Sequence, residues 1–146
     1  PKGIIDGHAL RYVGKGNAGY GGGGAGDLMV FVRVLPHARF IRRDADIFST
    51  HAVGVALAAL GAKTVFENID GEKLTVELKE GTQFGDKIVV RGKGLPAYGG
   101  GKRGDLVIQV LVIVPEKLTR KERELMEQFA GIEREPKGSI VKEMLK

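Results

Sequence analysis

Residues 81–106 carry the pattern Gly81-Thr82-Gln83-Phe84-Gly85, Gly92-Lys93-Gly94, Tyr98-Gly99-Gly100-Gly101 and Gly104-Asp105-Leu106. The same pattern stands earlier as Gly3-Ile4-Ile5-Asp6-Gly7, Gly14-Lys15-Gly16, Tyr20-Gly21-Gly22-Gly23 and Gly26-Asp27-Leu28. Every matched pair is offset by 78, and 12 of the 26 positions are identical without a gap. Glycine richness alone would not also align Lys, Tyr, Asp and Leu, so the chain holds an internal duplication.

Both copies imply one local structure. A turn leads into a short strand, Ala9–Val13 or Lys87–Arg91, a glycine-rich loop follows, and a long apolar strand comes next, Leu28–Leu35 or Leu106–Val114. Val and Ile dominate the long strands, as a strand with at least one buried face requires. The recurring Gly-Asp pair assigns the Asp carboxylate to backbone amides at the loop-to-strand junction.

Working outward, Asp46–Val53 reads as a strand and Val55–Leu60 as about two helical turns packed on a sheet, stopped by Gly61. Lys63–Asn68 and Lys73–Leu78 alternate as strands, with Asp70-Gly71 at the turn between them. The expected fold is mainly β: two tandem β-sandwich-like modules, the first truncated, with short helices and a C-terminal helix. The expected divisions are 1–40, a truncated first module; 41–115, a complete second module; and 116–146, a C-terminal helix and tail. On this reading roughly 40 residues of the first module lie upstream of Pro1, and the chain, which lacks an initial Met, is a fragment.

Beyond Pro115, Thr119-Arg120-Lys121-Glu122 forms a capping box, Leu125, Met126 and Phe129 share one helical face, and Gly131 ends the helix. Ser139 begins a further amphipathic turn carrying Ile140, Val141, Met144 and Leu145. These apolar residues form either an intramolecular clasp or an oligomer contact.

Catalytic and ligand patterns are weak. There is no Cys, hence no disulfide framework or thiolate metal site, and the three His residues lack metal-pair spacing. Gly14-Lys15-Gly16-Asn17-Ala18-Gly19 spells a dinucleotide fingerprint but precedes a strand rather than a helix, so it reads as a turn. Ser49 and His51 share a strand face without an orienting acid and read as surface polar residues. In Arg103-Gly104-Asp105 the Arg is incidental, because its repeat partner is Ala25. These observations speak for a binding protein rather than an enzyme. The net charge of +5 allows a basic β-rich nucleic-acid-binding module as the alternative, but the charge is dispersed and aromatic content is only 6%. No apolar run approaches a membrane span. Phe40, at the seam between the copies, is the large apolar residue least explained by strand periodicity. It either fills an inter-module contact, the favoured reading on residues alone, or lines a groove for an apolar guest.

At these residues the chain resembles the C-terminal region of DnaJ-type co-chaperones. The matching text is Pro1–Gly7, Gly26-Asp27-Leu28, Pro36-His37-Ala38-Arg39-Phe40-Ile41-Arg42, Ala58–Ala62, Gly81–Gly85, Gly92–Pro96 and Arg103–Leu106, in order over about residues 1–130. The resemblance implies two β-sandwich-like modules that bind exposed apolar segments of non-native polypeptides and hand them to a DnaK-type chaperone. It further implies homodimerisation through the C-terminal end and a cytoplasmic location. Phe40 falls where the family places an aromatic residue of the peptide groove; the other groove residues would lie before Pro1, with an extended peptide pairing to a sheet edge. There is no His-Pro-Asp and no Cys-x-x-Cys, so no cofactor is expected within these residues, and any zinc domain of the parent would lie upstream. Asp44 stands where the family usually has Gly, a substitution the left-handed region tolerates.

Overall fold

The computed structural model describes residues 1–132; Ile140, Val141, Met144 and Leu145 lie outside the described residues. The protein is mainly β, with eight strands and two α-helices among the described residues. The chain divides into two compact units, Pro1–Ile113 and one that begins at Val114.

The duplication is reproduced in the strand register. β1 (Ala9–Tyr12) pairs antiparallel with β2 (Leu28–Phe31), Ala9 opposite Phe31 and Tyr12 opposite Leu28. β7 (Lys87–Val90) pairs with β8 (Leu106–Ile113) in the same register displaced by 78, Lys87 opposite Gln109 and Val90 opposite Leu106. The Asp27 carboxylate accepts from the Gly14 amide at 2.9 Å and the Asp105 carboxylate from the Gly92 amide at 2.8 Å. Glycines 14 and 92 take matching left-handed conformations, φ 66° and 68°, which a side chain would strain. Arg103 is tied to the Gly94 carbonyl and Asp105 to Gly92, so the Arg-Gly-Asp tripeptide is held by its own loop.

The remaining strands follow the sequence reading closely, with one addition. β3 (Ile41–Arg43) forms a hairpin with β4 (Asp46–Gly54), and Asp44 at its turn has φ 53°. That short strand has no periodicity of its own; the turn and the β4 edge create it. α1 (Val55–Leu60) ends at Gly61, φ 74°. β5 (Ala62–Glu67) and β6 (Lys73–Leu78) form the expected hairpin. At its turn the Gly71 amide donates to the Asn68 carbonyl and the Asp70 carboxylate accepts from the Glu72 amide.

One four-stranded sheet runs β3-β4-β8-β7, in which β4 and β8 are parallel over eight paired positions, Ile47 opposite Leu106 through Gly54 opposite Ile113. Alternation puts Leu106, Ile108 and Val110 on one face of β8, all fully buried. Leu106 and Ile108 pack with Ile47 and the hairpin residues Phe66, Leu74 and Val76 in one cluster, and Val110 with Val53, Ala58 and Leu78 in a second. Two layers therefore enclose the core, the sheet on one side and the hairpin with α1 on the other.

Two expectations are corrected. The apolar run predicts a strand to Leu35 with a buried face; β2 stops at Phe31, and its residues are exposed. Leu28 and Val30 are 45% and 37% exposed, whereas their repeat partners Leu106 and Ile108 are at 0%. The reason is neighbours: β8 has β4 on its second edge and a hairpin above it, while β2 pairs only with β1 among the described residues. Ser49 and His51, read as surface residues, lie on the core face of β4, Ser49 buried and His51 half-buried. The parallel pairing with β8 turns that face inward.

α2 (Arg120–Ala130) begins with the expected capping box: the Thr119 hydroxyl accepts from the Glu122 amide at 3.3 Å and the Glu122 carboxylate accepts from the Thr119 amide at 2.7 Å. These bonds, with little opposing burial, hold the Glu122 carboxyl below its usual value.

The repeated Gly-Asp bond is testable. Asp105→Ala, which strands the Gly92 amide, is expected to lower stability by about 1 kcal/mol in urea unfolding. Asp27→Ala, in a copy that carries little core, is expected to move the midpoint less.

Candidate peptide-binding cleft

The segment Pro36–Phe40 leaves the first copy and enters β3, and its last residue is anchored. Phe40 is 6% exposed and belongs to the cluster of Ile47, Phe66 and Leu106. Its ring meets Phe66 edge-on at 6.2 Å between centres and lies 5.2 Å from the His37 ring. The Arg39 guanidinium stands 5.4 Å from the Phe40 ring centre and 5.8 Å from that of Phe66. The Ser49 hydroxyl donates to the Arg39 carbonyl at 2.9 Å, and the Arg39 guanidinium donates to the Glu67 carbonyl at 3.2 Å. A serine with no catalytic partners thus fixes the backbone beside Phe40.

Arg42 joins the two copies. Its guanidinium donates to the carbonyls of Gly3 and Ile4, both at 2.6 Å, and of Asp44 at 2.7 Å. One fork holds the N-terminal turn against the β3–β4 hairpin. Beside it opens a cleft of about 660 Å³, lined mainly by apolar side chains including Ile5, Val34, Leu35, Phe40, Ile69 and Leu95. Leu35 is largely exposed at its edge and Phe40 forms part of its wall. The two readings of Phe40 are compatible in this geometry, because the ring fills a core and borders a groove.

Of the other sequence-predicted site residues, Leu125, Met126 and Phe129 are exposed on α2. The remaining predicted contacts, 140–145, lie outside the described residues. Sequence reasoning missed Val34, Leu35, Ile69 and Leu95 as cleft residues. The apolar run places Val34 and Leu35 in a strand that the structure ends at Phe31; their one signal is an apolar pair running straight into Pro36-His37. Arg42 gave no signal for its role, since its acceptors are main-chain carbonyls, which every residue carries.

The comparisons with known proteins agree with this architecture. The family model for the DnaJ C terminal domain matches residues 1–115. This chain belongs to the DnaJ C-terminal-domain family. The chaperone protein DnaJ of Sinorhizobium fredii is 42% identical over 132 residues, covering 90% of this chain and 35% of that protein. That of Rhizobium meliloti is 42% identical over the same length and coverage. That of Pelagibacter ubique is 40% identical over 143 residues, covering 98% of this chain and 38% of that protein. The chain thus spans little more than a third of the curated relatives it matches. These relatives are named as chaperones, not as enzymes. Among the described residues no group of three or more His, Cys, Asp or Glu side chains could hold a metal ion. No helix among them is long and apolar enough to cross a membrane.

Beside Phe66, which Phe40 meets edge-on, sits a titratable group. His51 Nε2 lies 3.0 Å from the Thr64 hydroxyl, and its ring meets Phe66 edge-on at 5.7 Å. Burial, and secondarily the Arg39 charge, lower its pKa below the ordinary 6.5. Above that value His51 is neutral in folded and unfolded chains alike. As pH falls through it, the unfolded chain binds the proton first, so stability falls towards the depressed folded value. The denaturation midpoint is therefore expected to drop between about pH 7.5 and pH 5.5. His51→Gln is expected to flatten that drop, read as the difference between the two proteins' midpoints across the series.

Proposed function

We propose that this chain is the client-binding and dimerising part of a DnaJ-type co-chaperone. It takes exposed apolar segments of non-native polypeptides into the cleft beside Phe40 and serves a DnaK-type chaperone in the cytoplasm. We divide the work as 1–40 and 41–115, the two β modules that meet at the cleft, and 116–146, the dimerisation element. The observation that carries the reading is the apolar cleft at the family's aromatic position, bordered by Phe40 and left open at Leu35. A cleft of that size and character suits side chains of an unfolded segment. Specificity by apolar contact alone is weak, which fits a protein whose guests share only exposed hydrophobic surface.

Phe40 is a poor sole probe, because truncating a buried Phe costs about 3–5 kcal/mol. Leu35→Ser at the exposed edge separates binding from folding. It is expected to weaken binding of reduced, carboxymethylated α-lactalbumin about threefold or more by fluorescence anisotropy, with the thermal midpoint unchanged. Unchanged affinity for Leu35→Ser would remove the cleft from client binding.

Dimerisation is tested separately. The exposed α2 face of Leu125, Met126 and Phe129 supports it, together with the apolar residues Ile140, Val141, Met144 and Leu145 that follow in sequence. Light scattering is expected to give a dimer mass for the chain and a monomer mass for Leu125→Glu/Phe129→Glu. A monomer at high concentration for the parent chain would refute the contact.

A further inference from the structure

The two copies meet through one small junction. β1 and β2 form a sheet of their own, so among the described residues no strand of the first copy is paired with a strand of the second. What meets the second copy is the turn Gly3–His8. Gly3 lies so close to the loop Pro96–Tyr98 that a β-carbon there would run into the Pro96 carbonyl. The Arg42 fork takes the Gly3 and Ile4 carbonyls, and the His8 ring meets the Tyr98 ring edge-on at 4.5 Å between centres. The duplication supplies the control. Gly81, the counterpart of Gly3, has the same left-handed backbone, φ 77° against 79°, yet open space where a β-carbon would stand. Tyr20, the counterpart of Tyr98, is fully exposed. The repeat itself therefore demands neither contact; the junction does.

The two sides of this junction continue into the two walls of the Phe40 cleft. On the first side the turn and the wall are one body. The Asp6 carboxylate accepts from the Val34 amide at 2.7 Å, the Gly7 amide donates to the Val32 carbonyl at 2.9 Å, and the Val32 amide donates to the His8 carbonyl at 2.8 Å. Val34 and Leu35 therefore move with the turn. On the other side Leu95, next to Pro96, packs against the cluster of Phe40, Ile47 and Phe66, and its amide donates to the Ala45 carbonyl at 2.7 Å. That wall is fixed to the core. Residues 32–40, which join β2 to β3, lie in no strand or helix, so the connecting chain does not itself set the distance between the walls.

We propose that the turn Gly3–His8 is a latch. Seated on Pro96–Tyr98 and held by Arg42, it sets the separation of the cleft walls; released, it lets the first copy swing about Pro36–Ala38. Gly3, His8 and Tyr98 stand outside the cleft lining and act as positioning residues for it. A hinge needs a short segment to absorb the rotation and a contact small enough to give way. The ties here are of that scale: one close main-chain approach, one guanidinium fork and one pair of rings. With the latch seated, an apolar segment in the cleft touches both walls at once; with it released, the segment keeps only one. The bearing of the latch on clients rests on the cleft function proposed above, whereas its hold on the walls does not.

The chain has no Cys, so spin labels can be placed at Phe31→Cys in β2 and Val65→Cys in β5, positions 76% and 62% exposed. Gly3→Ala and Tyr98→Ala are expected to lengthen and broaden the label-to-label distance in pulsed dipolar spectroscopy. Both are also expected to weaken binding of reduced, carboxymethylated α-lactalbumin about threefold or more by fluorescence anisotropy. Tyr98→Phe, which keeps the ring, is expected to match the parent chain in both measurements. Gly81→Ala is the matched control: it carries the same backbone strain at the same repeat position, and is expected to lower the thermal midpoint without moving the labels. A distance unchanged in both Gly3→Ala and Tyr98→Ala, or moved as far by Gly81→Ala, would overturn the latch. A lengthened distance with unchanged α-lactalbumin affinity would support the latch and count against the cleft as the client site, so the two failures are told apart.

Discussion

The parallel pairing of β4 with β8 is the constraint on which the rest of the molecule depends. It joins residues about 60 positions apart, Ile47 with Leu106 at its start, so its loop-closure entropy must be recovered from burial. Leu106, Ile108 and Val110 recover it because they face the hairpin and α1 with no exposed surface. The pairing also decides which face of β4 is internal. Ser49 is drawn into the core, where its hydroxyl finds the Arg39 carbonyl, and His51 is drawn against Thr64 and Phe66.

The duplication makes β2 an internal control for that claim. β1–β2 and β7–β8 share register, turn glycines and the Asp-to-glycine bond. Backbone register and the Asp-to-glycine bond are thus the same in both copies, although only Asp27 also pairs with an arginine, Arg11, yet only one copy has a core. What differs is the presence of a strand on the second edge and a hairpin above. Matching local structure with unmatched burial shows that the glycine and aspartate pattern specifies a ladder, while burial requires the neighbours that this ladder is given.

Phe40 sits where these two levels meet. Its ring is a core residue by exposure and a cleft residue by position, and its backbone is pinned by Ser49 through Arg39. Arg42, two residues on, reaches back to the first copy through carbonyls of Gly3 and Ile4. The cleft is held from both sides by hydrogen bonds to main chain rather than by ion pairs, so its geometry is insensitive to which side chains stand at the accepting positions.

The sequence by itself determined what is local or periodic. The repeat at offset 78, the alternation of β5 and β6, the apolar run of β8, the Asp70-Gly71 turn, α1 with its Gly61 stop and the Thr119–Glu122 capping box were all legible. Each depends on residues within a few positions of one another, or on one spacing repeated. Phe40 stood out because no strand period explained it. The tertiary structure alone decided the rest: β4 beside β8, Ser49 inside, β2 uncovered and Arg42 on distant carbonyls. Those arrangements are set by which strand edges meet and in what register. An alternating strand states that it has two faces, and only its neighbours settle which one is dry.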